Sequence, residues 1–464
     1  MLAANPPEPW SVPTLADWHC GGDENGDQVG YAVAPAGDIA GDGYGDVLVG
    51  APTDHLDTDK EGVVSLYNGG PAGLPATPDW QAGGGQQGSL FGVAVAGVGD
   101  VNGDGYDDVL VGASGFNDGI NKKGAAFLYL GPLDGVASSP DWSFVGDQKD
   151  SLLGAAVAGA GDVNGDGLDD FVIGAPGQSR DETSEGAAFL FLGSDVSISQ
   201  VPAWTYYGGQ AAAGLGTSVA GARDANGDGY DDVLVGAPGY SLSYEDEGIV
   251  LLFFGTPDGL TASSGWQALG GQPDARFGTS VAGAGDVDAD GYDDLLVGAP
   301  GYAIELLVYG AAFLFQGGDS LPATFPAWMS RADQPASGFG RAVTGAGDVN
   351  GDGYDDVAVG AYTHTGDQRA EGAVFVFCGS TQGLGSRPGW QVEGDKADTE
   401  FGYALGLVES LRGDGLASLL VGAPRYRQVT EPEGRALAFY GPLEPHHHLY
   451  LPLLRSEGPS RCQS

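Results

Sequence analysis

Short apolar runs separated by Gly, Asp and Pro follow one another along the whole chain, and none shows a sustained 3.6-residue period. Residues 92–99 (GVAVAGVG) alternate small and β-branched side chains. Val109–Val111 is a brief aliphatic run after two Asp, closed by Gly-Ala. Residues 125–130 (AAFLYL) stop at Gly131-Pro132, and after the loop 132–140 a further segment surrounds Trp142. Apolar runs bounded by turn residues predict strands, here four in succession.

This unit recurs. Trp18, Trp80, Trp142, Trp204, Trp266, Trp328 and Trp390 stand 62 residues apart. The same step links Gly30, Gly92, Gly154, Gly216, Gly278, Gly340 and Gly402, and the Gly-Ala pairs that open at Gly50 and end at Gly422. A third series runs from Gly62 to Gly434. Seven copies occupy 434 of the 464 residues, leaving no room for a separate domain. Four strands repeated seven times predict an all-β fold, either a propeller or a long solenoid.

Two features select a seven-bladed β-propeller of four-stranded antiparallel blades. The first strand of each copy is built of Gly, Ala, Val, Ser and Thr, as crowding at a central axis requires. The ends are also complementary: the last copy stops after its third strand near Tyr440, and Trp18 precedes the first Gly30 strand without a blade of its own. An N-terminal strand that completes blade seven closes the ring and covers its open edges. The expected propeller spans 1–451, with 452–464 a C-terminal tail. The Trp series is expected between blades rather than as a ligand platform.

Between the first and second strands lies an oxygen-rich loop. In copy two it reads Asp100, Asn102, Asp104, Tyr106 and Asp108 at positions 1, 3, 5, 7 and 9. The pattern returns as Asp162, Asn164, Asp166, Leu168, Asp170; as Asp224, Asn226, Asp228, Tyr230, Asp232; as Asp286, Asp288, Asp290, Tyr292, Asp294; and as Asp348, Asn350, Asp352, Tyr354, Asp356. Copy one keeps Asp38, Asp42, Tyr44 and Asp46 but has Ala40 at position 3. Side-chain oxygens at positions 1, 3, 5 and 9, with the carbonyl of residue 7, predict a Ca²⁺ cage; a Gly at position 6 allows the sharp turn. Absence of Cys and His in the set favours a hard cation. The alternative, that Asx-rich loops merely form turns, leaves the convergence of like charges unexplained. About six sites are expected. The seventh loop, 410–418, loses the ligands at positions 1, 3 and 9; there the Arg412 guanidinium is expected to take the charge role beside Asp414. Arg412-Gly413-Asp414 also spells a cell-adhesion recognition triplet, although Gly and Asp are inherited from the loop pattern.

Composition narrows the function. Asp and Glu number 63 against 18 Lys and Arg, a net charge of −45, which opposes nucleic-acid binding. Six Ca²⁺ would lift this only to −33, so much of the acidity belongs to a solvated surface. No apolar run approaches the ~20 residues of a membrane helix. Cys20, Cys378 and Cys462 allow at most one bridge, and unpaired thiols are the simpler expectation. Residues 1–7 lack the basic and apolar regions of a signal peptide, so an export signal is either already removed or was never there.

These residues resemble the FG-GAP repeat family, the seven-bladed propeller of integrin alpha subunits and related bacterial proteins. The likeness rests on Phe91-Gly92, Phe277-Gly278, Phe339-Gly340 and Phe401-Gly402, and on the Gly-Ala-Pro triplets opening at Gly50, Gly174, Gly236, Gly298 and Gly422. Val29, Leu153 and Leu215 replace the Phe, and Ser114 and Tyr362 the Pro. The resemblance implies Ca²⁺ in the strand-one-to-two loops, on the face opposite the family's usual ligand surface, and an extracellular or cell-surface location. Integrin leg domains, membrane helix and cytoplasmic tail are not in this sequence, so it is not read as a complete receptor.

Copy-to-copy variation marks the other face. The segments 53–61, 177–185, 239–247, 301–309 and 363–371 share little, as do those after each Trp, such as 206–215 and 268–277. In a four-stranded blade these loops emerge together. That face is expected to bind a protein or glycan partner, with Tyr240, Tyr244, Tyr302, Tyr362, Arg425 and Tyr426 as exposed candidates; neutral drift of solvated loops is the alternative. An enzyme is the competing class, but His19, His55, His364 and the run 446–448 form no Ser/His/Asp or Cys/His pattern, and the run is expected to be solvated. Pairs such as Asp107-Asp108 repeat in five copies, which marks structure rather than one active site. A structural spacer in a surface assembly is the third reading.

Overall fold

In the computed structural model, residues 16–450 are described, apart from 23, 25, 59, 138, 320, 321, 323, 324, 428–431 and 444–447. Blade 1 runs from axis to rim as Ala32–Gly37, Asp46–Ala51, Val63–Tyr67 and Trp80–Gly83. Blades 2 to 6 repeat this antiparallel order, with inner strands Phe91–Gly97, Ala156–Gly161, Ser218–Arg223, Ser280–Gly285 and Phe339–Gly347. Each second strand is buried along its length because it is covered by blades on both sides, which explains the unbroken aliphatic runs.

Blade 7 consists of Ala404–Val408, Ser418–Ala423, Arg435–Tyr440 and, on its rim, the N-terminal strand Trp18–Gly21. Trp18 lies opposite Ala438 and Gly21 opposite Arg435. The ring is therefore closed by the strand predicted to close it.

Two repeated contacts join neighbouring blades. A Cβ on Gly50, Gly112, Gly174, Gly236, Gly298 or Gly360 would lie 2.0–2.2 Å from the carbonyl oxygen of the following blade's Gly92, Gly154, Gly216, Gly278, Gly340 or Gly402. Gly422 meets Gly30 at 2.0 Å, so the closing joint has the geometry of the other six. Only glycine permits backbones to approach this closely. The second contact is aromatic. Each rim Trp meets a ring on the third strand of the next blade edge-on, from Trp18–Tyr67 at 4.8 Å to Trp390–Phe439 at 5.4 Å. Such pairs contribute about 0.5–1.5 kcal/mol each beyond area burial. The indole N–H of Trp18, Trp204 and Trp328 donates to Pro75, Thr261 and Gly385 carbonyls of the next blade. The Trp series is thus interblade packing.

Three short elements were not anticipated. Gly135–Val136 adds a parallel strand to the rim of blade 1, and His448–Tyr450 does so on blade 6 beside Gln391–Glu393. Ala303–Ile304 and Leu307–Val308 form a hairpin on a variable loop. His448 thus heads a strand instead of belonging wholly to a solvated tail; His446, His447, the segment 451–464 and Cys462 lie outside the described residues. Cys20 and Cys378 are unpaired. No helix among the described residues is long and apolar enough to cross a membrane.

Candidate metal loops and the two faces of the ring

Glycines at positions 4 and 6 of each full loop except blade 5's, where Ala289 holds position 4, turn the chain tightly enough to bring the acidic oxygens inward; Gly103 and Gly105 have φ of 77° and 92°, and Ala289 59°. In copy two, Asp100 Oδ1 accepts the N–H of Gly103 (2.7 Å) and Asp104 (3.0 Å), and Oδ2 that of Gly105 (2.8 Å). Asn102 Oδ1 accepts from Asp104, and Asp104 Oδ1 from Tyr106. The loops at 162–170, 224–232 and 348–356 repeat these bonds at position 1. The Asx residues do form turns, so that role is real.

Turn formation does not account for the ninth position. Asp46, Asp108, Asp170, Asp232, Asp294 and Asp356 are all but fully buried. Asp108 accepts from Val101 N–H with one oxygen and from Gly131 N–H, 23 residues on, with the other. Burial, reinforced by the carboxylates at positions 1 and 5, pushes Asp108, Asp170 and Asp356 up to about 7 and Asp232 to about 8. Burial likewise lifts Asp294 to about 7, beside Asp288 and Asp290.

Three carboxylates of blade 5, Asp286, Asp288 and Asp290, place oxygens within 4.8 Å of one another. Asp288 Oδ1 and Asp232 Oδ2 are buried and have no hydrogen-bond partner. Orphaned carboxylate oxygens facing like charges fit a divalent hard cation, for which the donor set is wholly oxygen. A second cluster, Asp27, Asp54 and His55, lies on the opposite face of blade 1.

The seventh loop differs as its sequence implies. Arg412 Nη2 donates to Asp414 and to the Gly441 carbonyl, and its guanidinium lies over the Tyr440 ring. Both charged ends of the adhesion-like triplet are therefore engaged with this chain.

Sequence reasoning missed the role of position 8. Asp107 Oδ2 accepts the Asp38 N–H (2.6 Å), and Asp169, Asp231 and Asp355 accept from Asp100, Asp162 and Asp286. Each thus tethers its own loop to position 1 of the preceding blade. The signal was present: these Asp recur in five copies, and copies one and seven have Gly45 and Ala417. Blade 4 breaks the ladder. Where five copies have glycine before the loop (Gly37, Gly99, Gly161, Gly285, Gly347), copies four and seven have Arg223 and Glu409. Arg223 reaches Asp293 at 3.7 Å and, across the axis, Glu409 at 3.5 Å.

On the opposite face a buried Glu braces the variable loops. Glu61 Oε1 accepts the N–H groups of Leu56, Asp57 and Thr58, and Oε2 that of Gly85. Burial would raise its carboxyl, but these donors outweigh it and hold the group low. Glu185 and Glu247 do the same for the loops at 180–182 and 242–244.

The six candidate partner residues are dispersed over this face. Tyr244 is 48% exposed, and Arg425 is exposed but paired with Glu400 at 3.1 Å. Tyr240 and Tyr302 are half-buried against the cores of their blades. Tyr362 rests on Tyr403, with centroids 5.7 Å apart. Tyr426 corrects the expectation of exposure: it is 4% exposed, its hydroxyl donates to Asp395, and the Arg435 guanidinium lies 4.0 Å from its ring centre. It belongs to the core because this position in other copies holds Phe116, Tyr240 and Tyr302, packed beneath the loop.

The FG-GAP repeat family matches residues 91–129, 153–191, 215–253, 277–312 and 339–377, the first three strands of blades 2 to 6. The chain is an FG-GAP repeat protein of the integrin-alpha-like propeller type. This FG-GAP protein is 36% identical over 225 residues to integrin alpha-V of Gallus gallus, and 33% over 233 residues to integrin alpha-5 of Xenopus laevis. It is 32% identical over 222 residues to integrin alpha-8 of Mus musculus. These similarities cover 46%, 48% and 46% of the chain but only 20%, 21% and 20% of the relatives' lengths. The aligned part, just under half of the FG-GAP protein, thus covers about a fifth of each integrin subunit.

Proposed function

We propose that this chain is an extracellular, calcium-stabilised binding or adhesion module that recognises a protein or glycan through its variable face. The exposed loop tips carry the reading. Ile120 is 83% exposed, Leu242 65% and Leu306 99%, each on a loop joining second and third strands. Buried Glu247 fixes the loop that carries Leu242, and Glu61 and Glu185 brace the equivalent loops of blades 1 and 3, so part of the variable face stands on rigid supports, the arrangement that recognition loops require. Similarity to integrin alpha subunits supports a binding role over catalysis.

Calcium would be held by the position 1, 3, 5 and 9 side chains of five loops and by Asp38, Asp42 and Asp46 of the first, where position 3 is Ala40, with the position 7 carbonyls of Tyr44, Tyr106, Leu168, Tyr230, Tyr292 and Tyr354. When bound it supplies positive charge that offsets the converging carboxylates. The chain's own residues fix the hairpin tips and, through Asp107, Asp169, Asp231 and Asp355 at position 8, tether four of the loops to the preceding blade. The metal thereby stiffens the face opposite the binding loops.

Protein and glycan arrays probed with the full chain, with calcium and with chelator, test the reading. The expected result is a partner whose binding falls when Tyr244 and Leu242 are replaced by Ala. Binding unchanged by those substitutions, or no partner on either array, would count against it and favour a structural spacer.

A further inference from the structure

The axis of the ring opens on the variable face into a cavity of 820 Å³. The residue after the axial glycine of every copy lines it: Tyr31, Val93, Ala155, Thr217, Thr279, Arg341 and Tyr403. The mouth is consequently lopsided. Four consecutive copies contribute small side chains, and the other three contribute an arc of Arg341, Tyr403 and Tyr31. Tyr31 and Tyr403 rings lie 5.0 Å apart, and the Arg341 guanidinium sits 5.1 Å from the Tyr403 ring centre with Nη2 3.4 Å from its hydroxyl. Arg276, from the neighbouring blade, lines the same cavity, and with Arg341 it also lines an adjoining groove of 510 Å³ that includes Tyr362.

The charge balance here is inverted. In a chain with 63 acidic and 18 basic side chains, the charged residues lining the cavity are Arg276, Arg341 and Asp246. Neither arginine has an ion-pair partner among the described residues. Glu400 feels the charge of Arg341 but is paired with Arg425 at 3.1 Å. The rest of the lining is uncharged, Ala and Val of the inner strands with Ser, Thr, Pro, Leu and Tyr, so no lining carboxylate other than Asp246 competes for the two guanidinium groups.

We propose that this axial cavity receives a carboxylate carried on a protruding loop of a protein partner. A guanidinium binds carboxylate in a directional, charge-assisted pair, the tyrosine hydroxyls supply further donors, and their rings cover the aliphatic stem. A pit at a ring axis admits a projecting side chain and excludes a flat surface or an extended polymer lying across the face, which favours a protein loop over a glycan. The net charge of −45 repels acidic molecules at a distance, so only a partner that gains the contact itself is retained.

This inference rests on the variable face being the recognition surface, and its test separates the two. A library of disulfide-closed cyclic peptides with a randomised tip is panned against the full chain in calcium. Enrichment of Asp and Glu at the tip is expected. The R276Q/R341Q double variant should weaken the selected peptides by about tenfold or more, as should Glu→Gln in the peptide tip. R341K should retain part of the affinity, and equal melting temperatures establish that the variants are folded. Enrichment of basic or apolar tips, unchanged affinity in R276Q/R341Q, or no enrichment over an unrelated propeller would overturn the proposal. Peptides lost on Tyr244→Ala but indifferent to R276Q/R341Q would refute the carboxylate pocket while leaving the variable-face reading standing.

Discussion

Chelation at controlled pH addresses the metal loops most directly. The perturbation is removal of calcium, and the structure fixes the sign and size of the response. The buried ninth-position carboxyls are displaced upward from 3.8, to about 7 at Asp46, Asp108, Asp170, Asp294 and Asp356 and about 8 at Asp232. Holding one such group ionised without a cation costs roughly 4 kcal/mol relative to the unfolded chain. Because the folded value is raised, the contribution of these groups to the metal-free ring is most favourable below pH ~4 and is lost as pH rises through ~7. A divalent ion reverses this penalty and competes with the proton for the same oxygens. At a free concentration ~100 times its dissociation constant, one site adds about 2.7 kcal/mol, and six sites set an upper bound by addition. Thermal melts with calcium and with chelator, at pH 5 and pH 8, read the difference. A large chelator-induced drop is expected at pH 8 and a small one at pH 5. Equal drops at both values, or no drop at either, would refute the argument that these carboxylates are held together by a cation.

Ring closure and the axial ion pair give two further predictions. Gly422→Ala would place a Cβ 2.0 Å from the Gly30 carbonyl oxygen, and a loss of about 1–3 kcal/mol or more is expected, with earlier proteolytic release of the N-terminal strand. Gly70→Ala, with nothing within 4 Å and an ordinary backbone conformation, should change the melting temperature little and serves as the control. For Arg223 and Glu409, a double-mutant cycle by urea unfolding should give a coupling of about 0.2–1 kcal/mol, because both side chains are largely exposed. The coupling should shrink with salt; a coupling above this range that salt does not reduce would show that the contact is not a screened surface pair.

What could be read from residue order alone was whatever repeats locally. The 62-residue period, the four runs per copy, the Asx loop and the unpaired strand at Trp18 gave the propeller, its closure and the candidate metal residues, since each depends on spacing within one copy or on comparing copies. The loss of ligands in loop 410–418 was legible for the same reason. Exposure was less so: Tyr426 is a polar-tipped aromatic near a loop, and only the packing of Arg435 and Asp395 around it made it core. The position 8 Asp was visible as a repeat, but its partner lies 69 residues earlier, in another blade. The axis was invisible altogether. Arg223 and Glu409 are 186 residues apart, and Arg341, Tyr403 and Tyr31 come from both ends of the chain. Local propensity and periodicity act over a few residues, whereas ring closure brings seven equivalent positions to one point, and the side chains that meet there are chosen by the circle and not by their neighbours in sequence.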